Sequence, residues 1–130
     1  MRELALELLE AISESLGLEK DYINKALGQH GQHMAINYYP TCPEPELTYG
    51  LPGHADSNAI TLLLQDEVPG LQVLHEGKWL AVNPLPNTIT VNIGDQIQVY
   101  VYLLIAPHVE FHIFIHFSVF YLLFYGIFNA

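Results

Sequence analysis

The stretch GLPGHADSNAITLLLQD, residues 50–66, places a histidine and a carboxylate two positions apart, just before an uncharged run at 58–64. These are His54 and Asp56. An imidazole nitrogen and a carboxylate oxygen both suit a divalent transition metal. Alternate residues of an extended strand point to one face, so the two side chains can aim at one point. Together they supply two of the three ligands of a 2-His-1-carboxylate triad, which leaves adjacent positions open on Fe(II) for a co-substrate and O2. On spacing alone a blander arrangement is favoured, a surface turn in which Asp56 caps a neighbouring backbone N–H. A third ligand and a co-substrate pocket must come from elsewhere in the chain.

The elements that would position such a site can be read from periodicity. Leu4, Leu8, Ile12 and Leu16 recur every four residues with Leu9 beside them, while Glu3, Glu7, Glu10 and Glu14 take another face. That is an amphipathic helix, with Gly17 at the expected left-handed C-cap. LEKDYINKALG reads as a second short helix closed by Gly28. HMAINYYP reads as a strand stopped by Pro40, and TCPEPELTYGLPG as a loop. AITLLLQ alternates little and is expected to be a strand covered on both faces. LQVLHEGKWLAV is predicted to be a hairpin turning at Glu76-Gly77. TITVNIG is a further strand. Short strands with regular turns and no helices between them predict an antiparallel barrel or jelly roll.

Composition narrows the partners. The 130 residues carry 4 Lys plus Arg against 14 Asp plus Glu. A surface so acidic gains nothing from nucleic acid or an anionic membrane, so neither is expected as a partner. The single cysteine, Cys42, excludes an internal disulfide and fits a reducing, cytoplasmic compartment. MRELALELLEAISESLG lacks the apolar core of a secretory signal. After Asp95 the composition changes abruptly. Glu110 is the one formal charge that follows, and residues 111–128 contain none.

Residues 37–99, NYYPTCPEPELTYGLPGHADSNAITLLLQDEVPGLQVLHEGKWLAVNPLPNTITVNIGDQIQV, closely resemble the plant 2-oxoglutarate- and Fe(II)-dependent dioxygenases, among them flavonoid-oxidising enzymes and salicylate hydroxylases linked to downy mildew susceptibility. The resemblance runs from about Arg2 to Val99. It implies a mainly β fold with N-terminal helices, in which residues 1–30 are a helical segment and 31–99 part of a double-stranded β-helix (jelly roll), followed by a divergent apolar tail at 100–130. It implies that His54 and Asp56 bind iron and that Asn37 and Tyr39, from NYYP, line the 2-oxoglutarate pocket. It implies Fe(II) as cofactor, 2-oxoglutarate as co-substrate and ascorbate as a candidate reductant. The expected partners are O2 and a small plant metabolite, aromatic or flavonoid-like. The activity implied is oxidative decarboxylation of 2-oxoglutarate coupled to hydroxylation or desaturation of that metabolite. The NIGD segment resembles a structural strand-and-turn element, and Trp79 with its hairpin resembles core and edge of the sheet.

Two parts of the family pattern are missing. The family has a second metal-binding histidine in an SVxHR-type motif, and then an Arg-x-Ser motif whose guanidinium pairs with the distal carboxylate of 2-oxoglutarate. His108 and His112 fall near the expected separation from His54 without that motif around them, which makes them weak candidates for the third ligand, and His116 is weaker. The only arginine is Arg2, and no lysine follows Lys78. The expectation is therefore a fragment, truncated at both ends. Its alternatives are a non-catalytic remnant and a membrane-tethered module, since residues 111–128 could just span a bilayer as a helix. A translated intron, a shifted frame or a truncated gene copy is the favoured origin of the tail.

The other reactive side chains suggest no chemistry. Cys42 has no base placed beside it. His30 and His33 are expected to be satisfied or solvated, His75 exposed, and Asp66 and Glu67 part of a solvated loop.

Overall fold

The computed structural model describes residues 1–105 and 122–124. The chain forms two compact units, Met1–Asn37 and Tyr38–Ala130.

The first unit is built on α1 (Arg2–Ser15) and α2 (Tyr22–Leu27). The centre of the buried seam is Leu9 and Ser13 on α1 and Ile23 on α2. Leu4, at one end of the predicted stripe, is exposed. Ser13 joins the helices: its hydroxyl donates to the Leu9 carbonyl at 2.9 Å and accepts the Ile23 N–H at 3.3 Å. Helix α1 ends in a Schellman motif with Gly17 at φ +72°. There the Gly17 N–H donates to the Glu14 carbonyl and the Leu18 N–H to the Ser13 carbonyl, each at 3.0 Å. Lys20 reaches back to Glu10 at 3.1 Å.

HMAINYYP, expected as a strand, is not one. No strand pairing is formed there among the described residues, and Met34 and Ile36 stand over four-fifths exposed. Strand propensity expresses packing against neighbours on a pleated surface, and among the described residues no strand lies paired beside this segment.

The second unit carries two antiparallel sheets. Strand β1 (Ile60–Leu63) pairs with β4 (Thr90–Ile93), Ile60 opposite Ile93 and Leu63 opposite Thr90. Strand β2 (Leu71–His75) lies between β3 (Lys78–Ala81) and β5 (Leu122–Phe124). The β2–β3 hairpin turns at Glu76-Gly77 as expected, with positive φ at both residues, +49° and +75°. That is what a type I′ turn requires to match the twist of its strands. A single 3-10 turn, Pro45–Leu47, interrupts the proline-rich loop.

Three expectations need correction. Strand β1 is half-buried rather than covered on both faces, and Leu64 just beyond it is exposed. Trp79 lies on the exposed edge strand β3, 41% accessible, and is not core. His75, inside β2, is half-buried rather than exposed.

After β4 the chain enters helix α3 (Asp95–Ile105). It buries Ile97 and Val101, one turn apart, and exposes Val99, Tyr102 and Leu103. Of the apolar span 111–128, only 122–124 is described, as strand β5. Among the described residues no helix is long and apolar enough to cross a membrane.

Candidate metal centre

His54 and Asp56 lie in the segment between Leu51 and β1. Residues 52–57 make no strand pairing, so the alternation of a β-ladder is not what brings the two side chains together. Local contacts do so. The His54 Nδ1 lies 2.9 Å from the Pro52 carbonyl oxygen, and its Nε2 lies 3.5 Å from Asp56 Oδ1. A carbonyl can only accept, so Nδ1 carries the proton in the neutral ring. The lone pair of Nε2 then faces a carboxylate oxygen.

Two acceptors facing each other at this distance repel unless a proton or a metal ion lies between them. The second carboxylate oxygen, Asp56 Oδ2, is buried with no hydrogen-bond partner among the described residues. A buried carboxylate oxygen with no donor costs free energy, and a cation removes that cost. The donor set, one imidazole nitrogen with its other nitrogen anchored to a backbone carbonyl and one carboxylate, fits a divalent transition metal. The Asp56 side chain is 15% accessible and that of His54 38%, so the pair opens to solvent on the imidazole side.

The far end of the segment is held by the start of α3. The Asp95 N–H donates to the Asp56 carbonyl at 2.8 Å, the Gly94 N–H to Ala59 at 3.0 Å and the Gln96 N–H to Asn58 at 3.2 Å. The side chains of Asn58 and Thr61 bond to each other at 2.9 Å. NIGD thus does more than end a strand. The sequence shows a glycine at the end of a strand, a mark of close backbone approach, but does not name the partner.

The structure brings together two of the four sequence candidates. Tyr39 is half-buried, and desolvation raises its phenol above the ordinary tyrosine value. Asn37 is exposed and ends the first unit, whereas Tyr39 belongs to the second. Among the described residues no group of three or more His, Cys, Asp or Glu side chains could hold a metal. His108, His112 and His116 lie outside the described residues. Cys42 is a free thiol, half-buried. His30 bonds through Nδ1 to the Gly28 carbonyl at 2.9 Å, and the Asp66 carboxylate accepts the Val68 N–H at 2.9 Å.

Comparison with known proteins gives the site its context. Protein DMR6-LIKE OXYGENASE 2 of Arabidopsis thaliana is 72% identical over 99 residues, covering 76% of this chain and 28% of that protein. Flavanone 3-dioxygenase 2 of Oryza sativa subsp. japonica is 65% identical over 99 residues, covering 75% of this chain and 29% of that protein. The chain therefore spans less than a third of the length of these curated relatives. Among solved structures, JOX2 in complex with 2OG, Fe, and JA superposes with a TM-score of 0.67 at 40% identity, over 75% of this chain and 30% of that one. Residues 30–104, which include the His54–Asp56 pair and the β4–α3 junction that holds it, match the model of the 2OG-Fe(II) oxygenase superfamily, and the chain belongs to that family.

Proposed function

We propose that this chain carries part of the iron and 2-oxoglutarate site of an oxygenase of plant small-molecule metabolism, acting on an aromatic or flavonoid-like substrate. The observation that carries the reading is the His54–Asp56 pair: an imidazole lone pair and a carboxylate facing each other at 3.5 Å, with a second carboxylate oxygen buried and unpartnered among the described residues. Relatives named as oxygenases and dioxygenases, and a structural neighbour holding 2OG and Fe, support the choice of cofactor. In this reading the two sheets are part of a jelly roll and the location is cytoplasmic.

The chain's own residues have limited roles. His54, oriented by the Pro52 carbonyl, presents Nε2 to the metal, and Asp56 presents its carboxylate. Asn37 and Tyr39 would offer an amide and a phenol to the carboxylates of 2-oxoglutarate. Bound iron with 2-oxoglutarate supplies oxidative decarboxylation of that co-substrate, to succinate and CO2, coupled to oxidation of the organic substrate by O2. The proteins that perform such chemistry contribute binding and orientation.

A second reading is a remnant that binds metal and does not turn over. It is favoured by one fact: the chain has no arginine beyond Arg2 and no lysine beyond Lys78 to pair with the distal carboxylate of 2-oxoglutarate.

The deciding experiment is an anaerobic titration of the full chain with Fe(II) and 2-oxoglutarate, following the visible charge-transfer band of the chelated complex. His54→Ala and Asp56→Ala are the comparisons. A band in wild type that both substitutions abolish supports the oxygenase site. Fe(II) binding that both substitutions abolish, with no band on adding 2-oxoglutarate, supports the remnant. Iron binding untouched by either substitution rules out both readings.

A further inference from the structure

The segment that presents Asp56 has no ladder of its own, yet one carboxylate oxygen sits buried and the other faces His54. Main-chain contacts with the β4–α3 junction account for this. An α-helix begins with N–H groups that no helical carbonyl can accept. In α3 the N–H groups of Asp95 and Gln96 are accepted by the carbonyls of Asp56 and Asn58, and that of Gly94, just before the helix, by the carbonyl of Ala59 in continuation of the β1–β4 pairing. The ligand segment is therefore the cap of the helix. The bond to the Asp56 carbonyl, at 2.8 Å, is the shortest of the three and fixes the backbone of the ligand residue itself.

Gly94 makes this approach possible. A Cβ built there would overlap the Asn58 carbonyl oxygen and lie 2.6 Å from its Oδ1 and 2.8 Å from its carbonyl carbon. Gly94 is not in the left-handed region, so the requirement is one of space. The obstructing atoms are mostly backbone, so a side chain at 94 would push residues 56–59 away from the helix.

We propose that the β4–α3 junction is the positioning element for the Asp56 metal ligand, with Gly94 and the Asp95 N–H as the positioning groups. The inference rests on the reading that His54 and Asp56 bind a divalent metal. It assigns to NIGD a role in setting ligand geometry rather than in holding the sheet alone. Supporting groups of this kind typically govern metal affinity over about 10–100-fold.

The test uses the full chain under anaerobic conditions with Co(II) alone, whose visible d–d bands report ligand geometry. Asp95→Pro and Asp95→Ala both remove the carboxylate, and only proline removes the N–H. Proline is well tolerated at the first helical position, and the glycine before it accommodates the restriction proline imposes. Asp95→Pro is expected to bind Co(II) at least about tenfold more weakly than Asp95→Ala, with altered d–d bands and matching circular dichroism. Gly94→Ala is expected to show the same loss.

A measurement on wild type covers the case in which these variants do not fold. Coupling between two sites is reciprocal, so Co(II) must slow amide exchange at Asp95. Equal Co(II) affinity for Asp95→Pro and Asp95→Ala, or Asp95 exchange unchanged by Co(II), overturns the inference, while loss of binding in Asp56→Ala would leave the metal reading standing. A wild type that ignores Co(II), or an Asp56→Ala variant that binds it unchanged, overturns both.

Discussion

The carbonyl oxygen of Pro52 and the imidazole of His54 lie 2.9 Å apart, and this contact decides which ring nitrogen faces Asp56. It selects the Nδ1–H tautomer of neutral His54 and leaves Nε2 as the lone-pair donor. In metal-free protein at alkaline pH, long-range 1H–15N correlation spectra should show His54 mainly as that tautomer. A dominant Nε2–H form, donating to Asp56, would contradict the orientation described here.

The Ser13 hydroxyl is fully buried between α1 and α2. Ser13→Ala removes the acceptor of the Ile23 N–H in a site closed to water. An orphaned buried donor costs about 1–3 kcal/mol, partly offset by the better helix propensity of alanine. The expected result in urea denaturation is a net loss of about 1 kcal/mol. A variant as stable as wild type would mean that the seam relaxes enough to admit water.

Gly77 at φ +75° has open space around it, so Gly77→Ala meets no clash. The cost is conformational, about 1–2 kcal/mol for a side chain in the left-handed region. Glu76 sits at φ +49° without being glycine, and Glu76→Asn should recover a few tenths of a kcal/mol, because asparagine tolerates that region better. Denaturation midpoints in the order Glu76→Asn, wild type, Gly77→Ala would bear this out. Any other order would show that the turn relaxes.

Glu10 holds the Lys20 ammonium above its ordinary value, chiefly through the hydrogen bond between them. A raised lysine contributes stability that is fully present below the unfolded-state value and is lost as pH rises through the folded one. The window is therefore alkaline. Because the ammonium is solvent-exposed, Lys20→Met should leave stability near pH 7 in physiological salt indistinguishable from wild type. A clear loss near pH 7 would show that the pair is held more rigidly than an exposed pair normally is.

The parts of the fold that were legible in the sequence are those set by neighbouring residues. The helix end at Gly17 and the turn at Glu76-Gly77 follow from short-range backbone rules. The strands β1, β2, β3 and β4 follow from composition between turn signals. Exposure was harder to read. The family resemblance suggested core for Trp79, but β3 is an edge strand among the described residues. Helix α3 was hidden because Ile97, Val99, Tyr100, Val101 and Tyr102 are residue types that favour strands. Its start depends on carbonyls supplied by residues 56–59, which no local pattern reveals. The His54–Asp56 pair was visible as a spacing. What holds it, the Pro52 carbonyl at one end and the Asp95 amide at the other, was not.

The hydrogen bond from the Asp95 amide to the Asp56 carbonyl joins positions far apart in the chain and lies beyond the β1–β4 pairing. Closing so long a loop costs entropy that only the completed strand pairing can offset. The order of assembly follows. A newly made chain has only the local contacts of His54 with Pro52 and Asp56, and the strands must zip before the Asp56 backbone is held by the Asp95 amide. On the reading that His54 and Asp56 bind a metal, that metal arrives late and captures an already formed pair rather than acting as a nucleus that starts folding. Refolding should proceed at the same rate with or without metal in the buffer, and the metal's effect should appear in how slowly the finished protein unfolds.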